Sequence, residues 1–363
     1  MSDSERSNQG SNGTETHGIT PTARKALVAS ATAAGVLIIL FIAWKASNIF
    51  MITFGAILFA IFLRSISDWI AERSSMSEKV SLFVTVGLFI GIAGASAYLF
   101  APRVANQFDE LSRTIPQSVE QLKGELREYE WGAWILNQFP EPTEIMSPSA
   151  AAQRAGTFFS TLFGGVTAVV VIIFAGFFIA LSPDVYSGGA LQLIPPKARW
   201  RAHDLFLALE STLSWWLLGR VLSMAVIGVM TWIGLMILDV PLALTLGLIA
   251  GLLSFIPYVG PVLSAIPAIL LGLTISPEKA LHVTILYIVI QLIEGNLITP
   301  LIDRRTVWIP PALTILAQLF AGVLFGPLGV VLATPLLAVV IVVVKMLYLQ
   351  GFLGEEVQVS RAY

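Results

Sequence analysis

Apolar runs of about 20 residues recur along this chain from residue 26 to residue 347, separated by short polar connections. A run of that length spans the hydrocarbon core as a helix, because a helix satisfies all of its backbone hydrogen bonds internally. Several such runs imply a bundle of membrane helices rather than a single anchor. Composition agrees: the 363 residues are 56% hydrophobic and only 12% charged, against about a quarter charged in an ordinary soluble domain. The expected fold is all-α, a polytopic helical membrane protein of about eight transmembrane segments. It should carry broken or re-entrant helices in its C-terminal half and a small helical soluble insert.

What is missing narrows the chemistry. The formal net charge of −2 and the lack of a basic tract offer nothing to nucleic acid. Without cysteine there is no disulfide, thiol nucleophile or thiolate-bound metal, and His17, His203 and His282 are too scattered for a histidine-built site. No H-E-x-x-H or G-x-S-x-G motif occurs, so an enzyme is not expected, and neither is a metal or cofactor.

Taken in order, residues 1–24 read as a disordered cytoplasmic tail rich in Ser, Asn, Gly and Thr. Residues 25–101 read as the first three transmembrane helices, with runs at 26–44, 49–63 and 80–100. Gly87, Gly91 and Gly94 in the third run suggest close helix contact. Residues 102–157 form an extracytoplasmic helical insert, because Val104, Phe108, Leu111, Ile115, Val119, Leu122 and Leu126 recur at helical spacing. A fourth transmembrane helix occupies 158–182, and 183–213 is an amphipathic arm along the membrane surface. Residues 214–348 are the transport core and 349–363 a C-terminal tail. Arg24, Lys25, Arg64, Arg73, Lys79, Lys197, Arg199 and Arg201 put the tail, the loop after the second run and the arm in the cytoplasm. Eight spans leave Arg304 and Arg305 outside. A segment 241–275 that dips in and returns to the same side would bring them inside.

Polar residues inside the oily core mark the candidate site. In Gln291-Leu-Ile-Glu-Gly-Asn-Leu-Ile-Thr-Pro300 a carboxylate sits where insertion costs roughly 2.5–3.5 kcal/mol, so Glu294 must face protein or water. Pro300 removes one backbone N–H and frees the carbonyl of Asn296, and Gly295 eases unwinding. Gln291 and Glu294 share a helix face, but Asn296 lies about 200° away, so convergence of all three requires a bend. Two overlong apolar segments flank this one. One is interrupted at Phe255-Ile-Pro-Tyr-Val-Gly-Pro261, which contains Pro257, Tyr258, Gly260 and Pro261. The other is interrupted at Gly326-Pro327 and at Pro335. Paired breaks of this kind point to a midplane binding site in secondary transporters. The spacings Gly247/Gly251 and Gly322/Gly326 suit close backbone approach. Arg220, near the cytoplasmic end of the fifth run, either snorkels to headgroups or pairs with Glu294 or Glu210.

The Pro-Tyr-Val-Gly-Pro261 break, the Gln291-x-x-Glu294-Gly-Asn296-x-x-x-Pro300 segment and the Gly326-Pro-Leu-Gly329 with Ala333-Thr-Pro335 tail resemble the autoinducer-2 exporter family, also called PerM-type permeases. The resemblance covers about residues 25–350. It implies eight transmembrane segments, a homo-oligomer, specifically a homopentamer, and an elevator-like mobile part, in the bacterial inner (cytoplasmic) membrane. It also implies export of autoinducer-2 or, in other members, exchange of sodium or lithium for protons. Gly219-Arg220 departs from the family's Gly-Gln, and Asp303-Arg304-Arg305 departs from its Gly-containing turn. Three readings stay open. The first is secondary transport of a small polar solute or ion with Glu294 as coupling group for H+ or Na+. The second is a sodium(lithium)/proton antiporter, and the third a passive channel. A purely structural role for Glu294, tying its helix to neighbours through Arg220, competes with all three.

Overall fold

The structure, a computed structural model, describes residues 46–96, 98, 100, 102, 107, 124, 148–303 and 308–350. The tail, the first apolar run, nearly all of the insert, and Arg304 and Arg305 lie outside the described residues. The chain divides into two compact units, Met1–Ser47 and Asn48–Tyr363, and the second holds the helical bundle.

All regular structure among the described residues is helical. In chain order the helices are α1 (Ser47–Ser74), α2 (Glu78–Ser96), α3 (Pro148–Leu181), α4 (Pro183–Gln192), α5 (Arg199–Ile237), α6 (Ala243–Leu253), α7 (Val259–Ile275), α8 (Pro277–Ile293), α9 (Thr299–Asp303) and α10 (Pro311–Val343). Five are long and apolar enough to cross a membrane, and the bent α3–α4 pair raises this to six. This is a polytopic helical membrane protein.

Helix α5 is the axis of the bundle. Its 39 residues rise about 58 Å, nearly twice the hydrocarbon thickness. The arm from Arg199 on and the fifth run, expected as separate pieces meeting near residue 213, are therefore one helix, while the arm's first part is α4. Nothing between Leu213 and Trp216 breaks it, because that stretch holds neither glycine nor proline. On one side, Leu213, Trp216 and Leu217 bury with Met51, Phe54 and Leu58 of α1 and Leu332 of α10. The Ser65 hydroxyl donates to that of Ser214 at 2.6 Å across the same contact. On the other side, Ile227 packs with Ala250 of α6 and Ile290 of α8. Helices α1, α2 and α3 form their own cluster from Ala60, Leu63, Leu82 and Ala180.

Helices α6 and α7 fold back on each other. Leu242 and Leu246 of α6 meet Ala268 and Leu271 of α7 and Val283 of α8 in one buried cluster, which only an antiparallel hairpin permits. With 11 and 17 residues, both arms fall short of the roughly 20 that span a bilayer. The expected break at 255–261 is thus its tip, where Tyr258 holds φ 64°. Gly260 is obligatory there, since a Cβ would collide with the Leu253 carbonyl oxygen.

The other break is at Gly326, whose φ of 67° and ψ of −155° split α10 into 311–325 and 327–343. Pro335, expected as a break, lies inside continuous helix, as does Pro267; each costs a hydrogen bond without ending its element. The small-residue spacings also divide. A Cβ on Gly251 would stand 2.8 Å from the Met224 carbonyl oxygen, so α5 and α6 touch backbone to backbone as Gly247/Gly251 implied. Gly87, Gly91 and Gly94 meet nothing within 4 Å, so the third run's glycines make no helix contact among the described residues.

Gly251→Ala should therefore lower the melting temperature in detergent through overpacking worth about 1–3 kcal/mol. Gly91→Ala should leave it level or raise it, because only helix propensity changes there. Equal losses from both substitutions would contradict this packing.

Candidate functional site

The hairpin tip, α5, the end of α8 and the first half of α10 meet at a buried polar cluster. Helix α5 brings Arg220, which is 7% exposed, and α8 runs into Glu294, which is 5% exposed. Arg220 Nη1 donates to Glu294 Oε1 at 3.4 Å. Its Nε donates to the Phe255 carbonyl at 3.1 Å, and Nη2 donates to the Ser254 carbonyl. Those two carbonyls belong to the end of α6, where helical backbone leaves acceptors without intrahelical donors and the macrodipole is negative. The guanidinium thus caps one helix and neutralises a carboxylate on another. Its planar fork of donors permits this where a lysine's ammonium would not.

Neighbouring side chains hold the arrangement. Gln291 Nε2 donates to Glu294 Oε2 at 3.1 Å, so both carboxylate oxygens are occupied. Gln318 Nε2, from the first half of α10, donates to the Pro257 carbonyl at 3.0 Å. That is the acceptor which Pro261 cannot engage. Trp216, one turn before Arg220, meets Phe255 edge-on at 5.7 Å between ring centroids. The tip is clamped from α5 by Arg220 and Trp216 and from α10 by Gln318.

Beyond Glu294 the helix widens rather than unwinding. Residues Glu294–Ile298 form a π turn in which the Thr299 N–H reaches the Glu294 carbonyl. A five-residue bond pattern suits a chain whose next residue is Pro300, since the proline's missing donor falls within the widened register. Asn296 does not join the cluster: it is exposed, and its Nδ2 donates to the Leu292 carbonyl of its own helix at 2.9 Å. Gly295 has open space where a Cβ would sit. The structure therefore brings Glu294, Gln291 and Arg220 together with the Pro257–Tyr258 tip. It leaves Asn296 outside and places Pro335 inside a helix.

Gln318 escaped sequence reasoning, although an amide in the middle of an apolar run is the signal that singled out Gln291. The Ser254 and Phe255 carbonyls could not have been found, because backbone acceptors carry no sequence mark. Several buried side-chain oxygens make no hydrogen bond among the described residues: Ser223 Oγ and Thr231 Oγ1 on the buried face of α5, Gln318 Oε1 and Thr334 Oγ1. No group of three metal-ligating side chains occurs among the described residues.

The family described as AI-2E family transporter matches residues 34–348. Similar proteins include the putative transport protein YueF of Bacillus subtilis, 28% identical over 84% of this chain and 89% of that protein. The putative transport protein YhhT of Escherichia coli K12 is 25% identical over 78% and 80% respectively. The AI-2 transport protein TqsA of the same strain is 26% identical over 72% and 77%.

Removing one partner of a buried ion pair strands the other, at a cost of about 3–5 kcal/mol. Glu294→Ala is accordingly expected to lower thermal stability in detergent far more than Asn296→Ala, and Arg220→Met/Glu294→Leu to recover only part of the loss, because the Ser254 and Phe255 carbonyls then lack their donor. Melting curves of the variants check this. Equal small effects from Glu294→Ala and Asn296→Ala would show that the pair contributes nothing.

Proposed function

The chain belongs to the AI-2E transporter family, and on that premise we propose that it moves a small polar solute or ion by secondary transport with Glu294 as the coupling group. One observation carries this reading: the buried Arg220–Glu294 pair lies where the α6–α7 tip and the π turn meet. Interrupted helices leave backbone carbonyls and polar side chains at a depth where lipid offers no partner, and transporters place solute and coupling-ion sites at such junctions. The cluster also has spare capacity, since Gln318 Oε1 and Ser223 Oγ are buried without protein partners among the described residues.

In this mechanism the pair is a latch. While Arg220 bridges the α6 carbonyls and Glu294, the hairpin is tied to both α5 and α8. Proton or cation binding at the carboxylate competes with the guanidinium for it. The hairpin and the α8–α10 segment then move together against α1–α3 and change access, in the manner of an elevator. The similarity to a protein named for AI-2 transport makes that furanone the first solute to test. Sodium or lithium exchange for protons is the second reading, favoured by the hard-oxygen character of the unpartnered groups. We place the protein in the bacterial inner membrane as a homo-oligomer, a pentamer by family resemblance.

Flux in proteoliposomes under separately imposed proton and sodium gradients, with AI-2, sodium and lithium as solutes, tests the proposal. Wild type should show gradient-driven flux of one of them. Glu294→Gln, which keeps an acceptor for Arg220 but leaves its charge uncompensated, should reduce that flux at least about tenfold per folded transporter, with a smaller loss of melting temperature than Glu294→Ala. That size corresponds to about 1.4 kcal/mol or more of lost coupling. Wild-type flux in the Gln variant would remove Glu294 from the coupling role.

A further inference from the structure

A cavity of about 620 Å³ lies in the crook where the chain turns 85° from α3 into α4. It is bounded by α1, the α3–α4 corner and the first half of α5, and no residue of the Arg220–Glu294 cluster lines it. Its size falls in the range of about 300–1,000 Å³ typical of small-molecule sites.

The lining is graded along its length. On α1 the residues facing it are Phe54, Ile57 and Ile61, then Arg64 and Asp68. This is one helix face read from its oily end to its charged end. From Phe54 to Asp68 the rise is about 21 Å. Helix α5 supplies Leu213 at the oily end and then Glu210, Phe206 and His203 toward the charged end, and α4 adds Asp184. The wall is also open sideways: Ile57, Tyr186 and Leu207 line the cavity yet are 40%, 51% and 51% exposed. An occupant can therefore enter from the bilayer.

Charge at the rim selects the headgroup. Asp68 and Glu210 lie within electrostatic reach of each other and of Arg64. Arg64 is already bonded to Glu78 at 3.1 Å, and neither Asp68 nor Glu210 forms an ion pair among the described residues. Carboxylates thus outnumber the available cation at the mouth of an apolar, membrane-open cavity. An ammonium that can donate hydrogen bonds to both satisfies them, while His203 remains to face a phosphate.

We infer that this cavity is a binding site for a membrane phospholipid with a primary ammonium headgroup, its acyl chain along Phe54, Ile57 and Leu213 and its ammonium between Asp68 and Glu210. A quaternary ammonium cannot donate those bonds, and an anionic headgroup meets like charge. The site is separate from the transport reading and stands or falls without it.

The test is native mass spectrometry of the full-length protein mixed with equal amounts of phosphatidylethanolamine, phosphatidylcholine and phosphatidylglycerol of identical acyl chains. Wild type is expected to retain the ethanolamine lipid at least about fivefold over the other two. Asp68→Asn/Glu210→Gln should remove that preference, and Ile57→Trp, which fills the wall and leaves the carboxylates, should remove the retention itself. Melting curves establish that each variant is folded, and Ile57→Trp decides the matter should the double variant not fold. Equal retention of the three lipids by wild type, preference for phosphatidylglycerol, or a preference that survives both sets of changes overturns the assignment. So does displacement by soluble phosphoethanolamine, which would make the ligand a water-soluble amine.

Discussion

A backbone carbonyl inside a membrane protein needs a donor, and this fold meets that need at its hairpin with a single guanidinium. Arg220 reaches two carbonyls at the end of α6 and, in the same plane, the carboxylate of Glu294. Each of these groups alone would be costly to bury: the cation, the anion and the orphaned helix end. Together they cancel, and the hairpin can be short. Its tip finds its partners inside the protein rather than among lipid.

The axis role of α5 follows from the same arrangement. One face of this helix carries Arg220 and Trp216 against the tip, while farther along Gly228 lets Gly251 of α6 come into backbone contact. The opposite end reaches past the apolar layer, where Glu210 and His203 line the cavity under the α3–α4 corner. A helix of 39 residues thus joins a deep polar junction to a shallow amphipathic one. Any movement of the hairpin relative to α5 must break the Arg220 contacts first, which is why the latch and the candidate coupling group coincide.

Glu294 illustrates why residues of similar polarity in one segment have different fates. Gln291 and Glu294 are three apart and face the same neighbour, so the amide donates to the carboxylate. Asn296 faces away, and the π turn relieves Pro300 without rotating Asn296 inward. A chain that widens its helix satisfies the proline locally. Unwinding would have freed more backbone than the cluster could partner.

Membrane residence, the helical class, the two interrupted segments and the burial of Glu294 were all legible in the residues. Each follows from a local rule: apolar length, the missing proline N–H, or the cost of a carboxylate in oil. Gly260 and Gly326 were legible as breaks for the same reason. The partner of Glu294 remained open between Arg220 and alternatives, because residues 74 positions apart meet only when helices pack. Tertiary structure alone decided that Arg220 caps α6, that Gln318 holds the Pro257 carbonyl, and that Gly251 rather than Gly91 makes a close contact. A sequence specifies which groups cannot be left alone in the membrane, whereas three-dimensional packing specifies which distant group answers each of them.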